Sequence, residues 1–214
     1  MHSPVVKICG LARPEDVAFC HALGVEFTGF VLAAESPRRI PPAAVAGMPR
    51  GGSARVGVVT TGDAAAILTA AREASLEYVQ LHGGQNESVC RAVGPERVIK
   101  VFWPERSGPE VLQEELYRFA PVAAYFLFDS GTGGGGSGRR FQRKRLQGLD
   151  IPRPWFLAGG IAPDTAASAM AAIAPFGLDA SSGVELAPGV KDHGKIHGLI
   201  TVARQQNNKE RQCE

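Results

Sequence analysis

Residues 125–141 read Y-F-L-F-D-S-G-T-G-G-G-G-S-G-R-R-F. The first four are apolar at consecutive positions, which is typical of a strand that is buried on both faces of a parallel sheet. The run ends in one carboxylate, Asp129, and a glycine-rich loop follows it. An acid at the end of a buried strand, beside a long loop, suggests a catalytic group that a lid can cover.

Similar runs of β-branched and aromatic residues recur along the whole chain and predict eight strands. They lie at residues 5–9, 26–32, 55–60, 78–82, 98–103, 123–129, 155–158 and 176–180. Successive runs are spaced by roughly 20 to 30 residues, which is the length of one strand and one crossover helix. This repetition favours a (βα)8 TIM barrel with eight parallel strands, and an open doubly wound sheet is the alternative.

The intervals between the runs have helical features, such as Pro14 followed by two acids and Asp63 before an alanine-rich stretch. Proline and acids suit the first turn of a helix, and aspartate caps its N-terminus. Helices are predicted over residues 14–23, 63–74, 87–93, 109–119, 163–173 and 192–204. No linker divides them, so residues 1–204 are predicted to form one barrel domain, followed by a polar, disordered tail at 205–214.

The composition restricts the class of protein. A chain of 214 residues with 44% apolar content can bury one good core, and a net charge of +2 is too small to imply nucleic acid as the main partner. Its cysteines, Cys9, Cys20, Cys90 and Cys213, have no paired spacing, which is typical of free thiols in a reducing cytosol. No stretch resembles a signal core or a membrane span, so we expect a soluble, cytoplasmic protein.

In a parallel barrel, the active site lies at the carboxyl ends of the strands. This rule selects Asp129, and it also selects Cys9, which ends the first run beside Gly10. A thiol at that position can act as a base if neighbouring charge lowers its pKa, although a free cysteine is often only a small buried apolar residue. His82 ends the fourth run, and we interpret it as a packed, hydrogen-bonded side chain without a catalytic role.

Two glycine-containing turns predict a phosphate site. Gly159 and Gly160 follow the seventh run, and Ser181, Ser182 and Gly183 follow the eighth. Glycines allow backbone N–H groups to approach an anion, and the sequence S-S-G can open a short helix onto it. Phosphate sites recur at this position in barrels. The alternative is two ordinary turns.

The glycine-rich loop also contains the spacing G-x-G-x-x-G, at Gly131, Gly133 and Gly136, that occurs in dinucleotide-binding proteins. We reject that interpretation because Asp150, the candidate ribose ligand, lies before the next strand rather than at its end, and because no helix follows the loop at once. The basic residues within 139–145 are interpreted as the solvated start of a helix, and a polyanion site is the alternative.

Seven stretches taken together resemble the phosphoribosylanthranilate isomerase family, (βα)8 barrels of tryptophan biosynthesis. They are K-I-C-G at 7–10, G-F-V-L…S-P-R-R-I at 29–40, V-G-V-V at 56–59, V-Q-L-H-G at 79–83, F-D-S…G-G-S-G-R-R-F at 128–141, L-A-G-G-I at 157–161 and D-A-S-S-G-V-E…P-G-V-K-D at 179–192. They occur in the order of the family and cover almost the whole chain.

The resemblance implies an isomerase (an intramolecular oxidoreductase) that performs the Amadori rearrangement of N-(5-phosphoribosyl)anthranilate to 1-(2-carboxyphenylamino)-1-deoxyribulose 5-phosphate by general acid–base catalysis. It implies Asp129 as the general acid, Cys9 as the general base and Arg38 as the ligand of the anthranilate carboxylate. The phosphate would be held by Gly159, Gly160, Ser181, Ser182 and Gly183. No metal or organic cofactor is expected. The expected partner is this small phosphosugar substrate, with no nucleic acid and no membrane, and the protein is expected to be a monomer or homodimer.

The chain departs from the family pattern at residues 33–35, where aromatics and a lysine or proline are usual, and after Phe141, where the usual tryptophan is absent. These changes concern loop packing and not the acid or the base. Another phosphosugar barrel, such as a synthase acting on the neighbouring indole precursor, is a rival that would use a strand-end lysine such as Lys100. A barrel reduced to a binding module is a second rival, which the presence of Cys9 and Asp129 opposes.

Overall fold

The computed structural model describes residues 4–130 and 143–210, and in it eight parallel strands close into a barrel. Each strand pairs with the next along the chain, and β8 pairs with β1. The strands are β1 (Val5–Cys9), β2 (Phe27–Val31), β3 (Ala54–Val59), β4 (Tyr78–Leu81), β5 (Val98–Phe102), β6 (Tyr125–Phe128), β7 (Trp155–Leu157) and β8 (Gly177–Ala180). The pairing of β8 with β1 confirms the predicted barrel, because an open sheet would leave edge strands.

Helices alternate with the strands and cover the outside of the barrel. They are α1 (Pro14–Ala22), α2 (Pro42–Ala46), α3 (Ala64–Glu73), α4 (Glu87–Val93), α5 (Pro109–Phe119), α6 (Pro163–Ile173) and α7 (His193–Glu210). The Asp63 carboxylate accepts a hydrogen bond from the backbone N–H of Ala66 at 2.8 Å, which confirms the predicted N-cap of α3. Gly24 adopts a φ of +65° just after α1, as a glycine that ends a helix does.

The helices differ from the prediction in three places. The sequence analysis did not predict α2, and α7 continues to Glu210, beyond the predicted end at Arg204. Between β6 and β7 the described residues form a short 3-10 helix, Arg143–Leu146. The glycine-rich loop at 131–142, with its predicted role as a lid, and residues 211–214 of the tail lie outside the described residues. The domain boundary at residue 204 therefore stays a prediction.

Two apolar cores explain why the strands are apolar at consecutive positions. One set of side chains fills the barrel, and a larger set packs between the strands and the helices. The residues of the inner set are Phe27, Val56, Ile99, Val101, Leu127, Phe156 and Ala158. In β6, Leu127 points inward, whereas Phe126 and Phe128 belong to the outer core. Asp129 continues the inward set, because side chains alternate along a strand.

Aromatic rings close the amino-terminal end of the barrel. Phe27, Tyr78, Tyr125 and Phe156 lie at or next to the first residues of their strands, and their ring centroids are between 5.3 and 5.9 Å apart. Edge-to-face packing of this kind fills the amino-terminal end of the barrel. Polar inward residues therefore remain at the carboxyl ends of the strands.

A small antiparallel hairpin follows β8 and was not predicted. Its strands are β9 (Glu185–Ala187) and β10 (Val190–Lys191), and Gly189 between them has a φ of +78°. The hairpin lies between β8 and α7 in the chain. Among residues 4–130 and 143–210, no helix combines the length and apolarity needed to cross a membrane.

Candidate active site

A cavity opens at the carboxyl ends of the barrel strands, where polar inward side chains replace the apolar core. It encloses about 790 Å³ of space, part of which is open to solvent. The residues proposed for the site from the sequence all line it, namely Cys9, Arg38, Asp129, Gly159, Gly160, Ser181, Ser182 and Gly183. They come from distant parts of the chain and meet because parallel strands present the same end to one mouth.

Cys9 is the last residue of β1 and is only 7% exposed. It pairs in register with Gly29 of β2, where an added Cβ would lie 2.9 Å from the Cys9 sulfur, so the glycine gives the thiol its room. Burial raises the pKa of the Cys9 thiol above its usual value, and this effect exceeds the opposite effect of the ammonium groups of Lys7 and Lys191. The neighbouring positive charge that the sequence analysis required is present, but in the free protein burial has the larger effect on the pKa of Cys9.

A buried ion pair joins Lys7 of β1 to Asp179, which lines the cavity. The Lys7 ammonium donates to Asp179 Oδ1 at 2.9 Å, and Lys7 is fully buried while Asp179 is 8% exposed. Burial lowers the pKa of Lys7, but attraction to Asp179 and to Cys9, together with the hydrogen bond to Asp179, outweighs it and raises the pKa. The sequence analysis assigned no role to either residue. A charged residue at an inward position of β1 was the signal that could have drawn attention to Lys7.

Asp129 follows β6, which is three strands from β1 around the closed barrel, and is 6% exposed. Its backbone N–H donates to the carbonyl of Phe102 at 3.0 Å, which continues the β5–β6 ladder and fixes the carboxyl at the mouth. His82 Nε2 lies 3.4 Å from Asp129 Oδ2, a distance within ion-pair range but without hydrogen-bond geometry. The predicted packing of His82 agrees with its ring contact to Trp103 and its contact with Gln80, and it also lines the cavity.

The two predicted phosphate-binding turns lie side by side. Gly159 and Gly160 have φ angles of +88° and +70°, a conformation that strongly favours glycine. A Cβ on Gly183 would lie 2.1 Å from the carbonyl oxygen of Ile161, so the second turn can approach the first only with glycine there. The hydroxyl of Thr165 donates to the Gly160 carbonyl at 2.8 Å and accepts from the Ala162 N–H at 2.9 Å, which braces the first turn.

A short 3-10 helix, Ser182–Val184, begins at the second turn, as the S-S-G sequence predicted. Its first backbone N–H groups therefore lie at the rim of the same cavity that Gly159 and Gly160 line. Backbone N–H groups at a glycine turn and at the start of a helix are suited to an anion such as phosphate. The geometry is compatible with a phosphate at this rim.

Arg38 reaches the cavity from the loop after β2 and is held by a carboxylate that the sequence analysis missed. Its Nε lies 2.9 and 3.1 Å from Glu185 Oε1 and Oε2, and its Nη2 donates to Oε2 at 2.7 Å. Glu185 also accepts from the Lys191 ammonium at 2.8 Å. The next residue, Arg39, is exposed and is not among the residues that line the cavity.

The strand-end lysine that a rival synthase would need does not reach the cavity. Lys100 belongs to β5, where its neighbours Ile99 and Val101 point into the barrel. Its side chain therefore points outward, and its ammonium donates to the carbonyls of Gly83 and Gln85 at 3.0 and 3.1 Å. Burial lowers the pKa of Lys100. Its position gives no support to the synthase reading.

Comparison with known proteins gives one consistent result. The family model for N-(5′-phosphoribosyl)anthranilate isomerase matches residues 6–202. The N-(5′-phosphoribosyl)anthranilate isomerase of Maridesulfovibrio salexigens is 40% identical over 195 residues, which cover 91% of this chain and 95% of that protein.

Two solved structures extend the comparison. A phosphoribosyl anthranilate isomerase in complex with reduced 1-(o-carboxyphenylamino)-1-deoxyribulose 5-phosphate is 30% identical, with a TM-score of 0.78 over 94% of this chain and 99% of that one. A structure of monomers generated from the dimeric enzyme of Thermotoga maritima is 31% identical, with a TM-score of 0.81 over the same shares.

Proposed function

Because this chain belongs to the N-(5′-phosphoribosyl)anthranilate isomerase family, we propose that Cys9 and Asp129 carry its reaction as general base and general acid. The protein is an isomerase of tryptophan biosynthesis, and its reaction is the Amadori rearrangement of N-(5-phosphoribosyl)anthranilate to 1-(2-carboxyphenylamino)-1-deoxyribulose 5-phosphate. The observation that carries the proposal is that both side chains line one cavity together with Arg38 and the two glycine turns.

The first step opens the furanose ring. Asp129 gives a proton to the ring oxygen while the C1–O bond breaks, and the lone pair of the anthranilate nitrogen forms the C1=N bond of an iminium ion. Because Asp129 is buried at the mouth, its proton is directed to the substrate rather than to bulk water. The carboxylate that remains lies near the new positive charge and stabilises it.

The second step moves the proton on C2. Cys9, as thiolate, removes it, and the C–H electron pair neutralises the iminium to give an enolamine. The iminium charge and the ammonium of Lys7 both favour the thiolate, which opposes the effect of burial on the pKa of Cys9. The enolamine then loses its C2 hydroxyl proton and gains a proton at C1, which yields the ketone and restores the balance of protons.

Two anchors hold the substrate between the acid and the base. We assign the phosphate to the turns at Gly159–Gly160 and Ser181–Gly183, and the anthranilate carboxylate to Arg38. Positioning of this kind supplies a large share of the rate in reactions without a cofactor. We further propose a monomer or homodimer and a cytoplasmic location, which is supported by the buried free thiols Cys9, Cys20 and Cys90.

The roles of Cys9 and Asp129 are tested by Cys9→Ala and Asp129→Asn, with Cys90→Ala as a control for a buried thiol outside the cavity. Each of the first two should lower kcat by about 10²- to 10⁴-fold while the fold survives, and the control should leave kcat unchanged. A Cys9→Ala protein with near wild-type kcat would exclude Cys9 as the base. A second Amadori substrate is tested by growth rescue. The chain is expressed in a tryptophan auxotroph that lacks this activity and, in parallel, in a histidine auxotroph, and growth of the second strain would indicate the second substrate.

A further inference from the structure

Lys191 connects three parts of the site although it does not line the cavity. It ends β10 and is 2% exposed. Its ammonium donates to the Cys9 carbonyl at 2.5 Å, to Glu185 Oε1 at 2.8 Å and to the Ser181 carbonyl at 3.3 Å. An ammonium group has three hydrogens, so these bonds use all of them. The end of β1, the turn after β8 and the β9 carboxylate are thus tied to one atom.

Glu185 fixes the direction of the Arg38 side chain. The carboxylate takes the Nε and Nη2 edge of the guanidinium, and it also accepts from the Gly189 N–H at 3.2 Å. The stem of Arg38 passes over Gly10, where an added Cβ would lie 2.6 Å from Arg38 Cδ. Contacts at both ends of the side chain therefore leave the guanidinium little freedom to turn.

The charges of this group leave one positive charge for an anion. Arg38 and Lys191 carry two positive charges and Glu185 carries one negative charge, so the three together carry +1. No residue in the described parts of the chain accepts a hydrogen bond from Arg38 Nη1. A planar guanidinium can bind one carboxylate on each of two edges. The edge formed by Nη1 and the second hydrogen of Nη2 thus suits a second carboxylate.

We propose that Glu185 and Lys191 are positioning residues for the reaction. Glu185 turns the outer edge of Arg38 toward the substrate carboxylate, and Lys191 neutralises Glu185 and holds it in register with Cys9 and Ser181. The proposal rests on the assignment of the anthranilate carboxylate to Arg38. Neither residue touches the substrate, and the effect of Glu185 reaches it through Arg38.

A substrate without the carboxylate separates positioning from a general structural role. N-(5-phosphoribosyl)aniline, made from aniline and ribose 5-phosphate, retains the ring, the amine and the phosphate. Glu185→Gln should lower kcat/KM for the anthranilate substrate by about 10- to 100-fold, as misplacement of a binding group does. It should lower kcat/KM for the aniline substrate by less than about 3-fold. Equal losses for the two substrates, or no loss for either, would overturn the proposal.

Two controls keep the result interpretable. Glu87→Gln removes the charge of a glutamate that pairs with Arg118 outside this cavity, and it should change neither substrate. If Glu185→Gln does not fold, the double variant Glu185→Gln/Lys191→Met keeps the buried charge at +1 and is measured with both substrates under the same criterion. Circular dichroism establishes that each variant is folded.

The test also distinguishes this proposal from the assignment on which it rests. Arg38→Lys should lose activity only with the anthranilate substrate. If Arg38→Lys affects both substrates equally, the carboxylate assignment fails. If Arg38→Lys is selective and Glu185→Gln is not, the assignment stands and the positioning role of Glu185 fails.

Discussion

Replacement of Lys7 by methionine should both destabilise the barrel and change the pH dependence of the reaction. The Lys7 ammonium lies 2.9 Å from Asp179 Oδ1 and both groups are buried. Coulomb attraction at that distance is about 6 kcal/mol at an effective dielectric constant of about 20. The cost of removing both charges from water cancels much of this, so the pair adds little net stability. Removal of one partner still costs about 3–5 kcal/mol, because it leaves the other charge buried and unpaired.

Urea unfolding measures this loss. For Lys7→Met, the midpoint should fall by about 1–2 M, given an m-value of roughly 2–3 kcal/mol/M. The double variant Lys7→Met/Asp179→Asn removes both charges and should recover at least half of the loss. Lys195→Met is the control, because the half-exposed Lys195 pairs with Asp192 at 4.0 Å and donates to the Glu185 carbonyl at 3.0 Å, and its loss should cost less than about 1 kcal/mol. A midpoint shift for Lys7→Met no larger than that of the control would refute the role of the buried pair.

The pH profile of kcat/KM tests the link to Cys9. The ammonium of Lys7 favours the Cys9 thiolate, so its removal raises the pKa of Cys9 further and moves the ascending limb of the profile to higher pH. The carboxylate of Asp179 disfavours the thiolate, so the double variant should move the limb back toward the wild-type position. An unchanged limb in Lys7→Met, together with lost stability, would show that Lys7 serves the fold alone.

Three further predictions concern other parts of the structure. Arg38→Lys should lower kcat/KM by about 10- to 100-fold, because an ammonium lacks the two edges of a guanidinium. Arg39→Lys, at an exposed position, should lower kcat/KM by less than about 3-fold, and equal losses would contradict the assignment of the anthranilate carboxylate to Arg38. Gly160→Val should raise KM, whereas Gly148→Val, at a similar φ of +81° away from the cavity, should leave KM unchanged. Inorganic phosphate should compete with substrate in the wild type, and phosphate without effect on KM would exclude the proposed phosphate site. Burial raises the pKa of Cys20 to about 12, so its thiol stays protonated in the folded protein while the unfolded chain ionises above about pH 8.5, and the free energy of unfolding falls as the pH rises from there toward 12. Between pH 8 and 10.5, the wild type should therefore lose about 2–3 kcal/mol more of this free energy than Cys20→Ala does, as measured by urea unfolding. Equal losses for the two proteins would contradict this prediction.

The strands could be predicted because burial on both faces leaves an unbroken apolar run, which few other structures produce. The predicted strand at 123–129 contains β6 (Tyr125–Phe128), and the predicted strand at 155–158 exceeds β7 (Trp155–Leu157) by one residue. The helix α2 (Pro42–Ala46) and the hairpin of β9 and β10 were not predicted. Each is too short to show a period in its sequence. The hairpin is joined to distant parts of the chain by the contacts of Glu185 with Arg38 and of Lys191 with Cys9.

The candidate site likewise contains some residues that the sequence predicts and others that it does not. Glycines and strand-end polar residues can be recognised locally, because a turn with positive φ or an acid after an apolar run leaves a mark in a few neighbouring residues. The partners of these groups leave no such mark. Lys7 stands out only as a charged residue in an apolar strand, and its partner is not visible in its neighbours, because only the register of β1 with β8 places it opposite Asp179. Prediction therefore selected residues that line one cavity and missed the residues that hold them there.

The missed contacts share one property, which is that each depends on closure of the barrel between its first and last strands. Lys7 and Asp179 are 172 residues apart, Arg38 and Glu185 are 147 apart, and Lys191 is 182 residues from the Cys9 carbonyl to which it donates. Each pair joins the first strands to β8 or to the hairpin that follows it. A chain in which β8 has not yet paired with β1 would lack all of these contacts, so Lys7 would have no partner carboxylate, Cys9 no contact with Lys191 and Arg38 no fixed direction. Cys9 and Arg38 can thus reach the arrangement seen here only in the closed barrel, whereas the backbone N–H of Asp129 is already bound within the β5–β6 ladder.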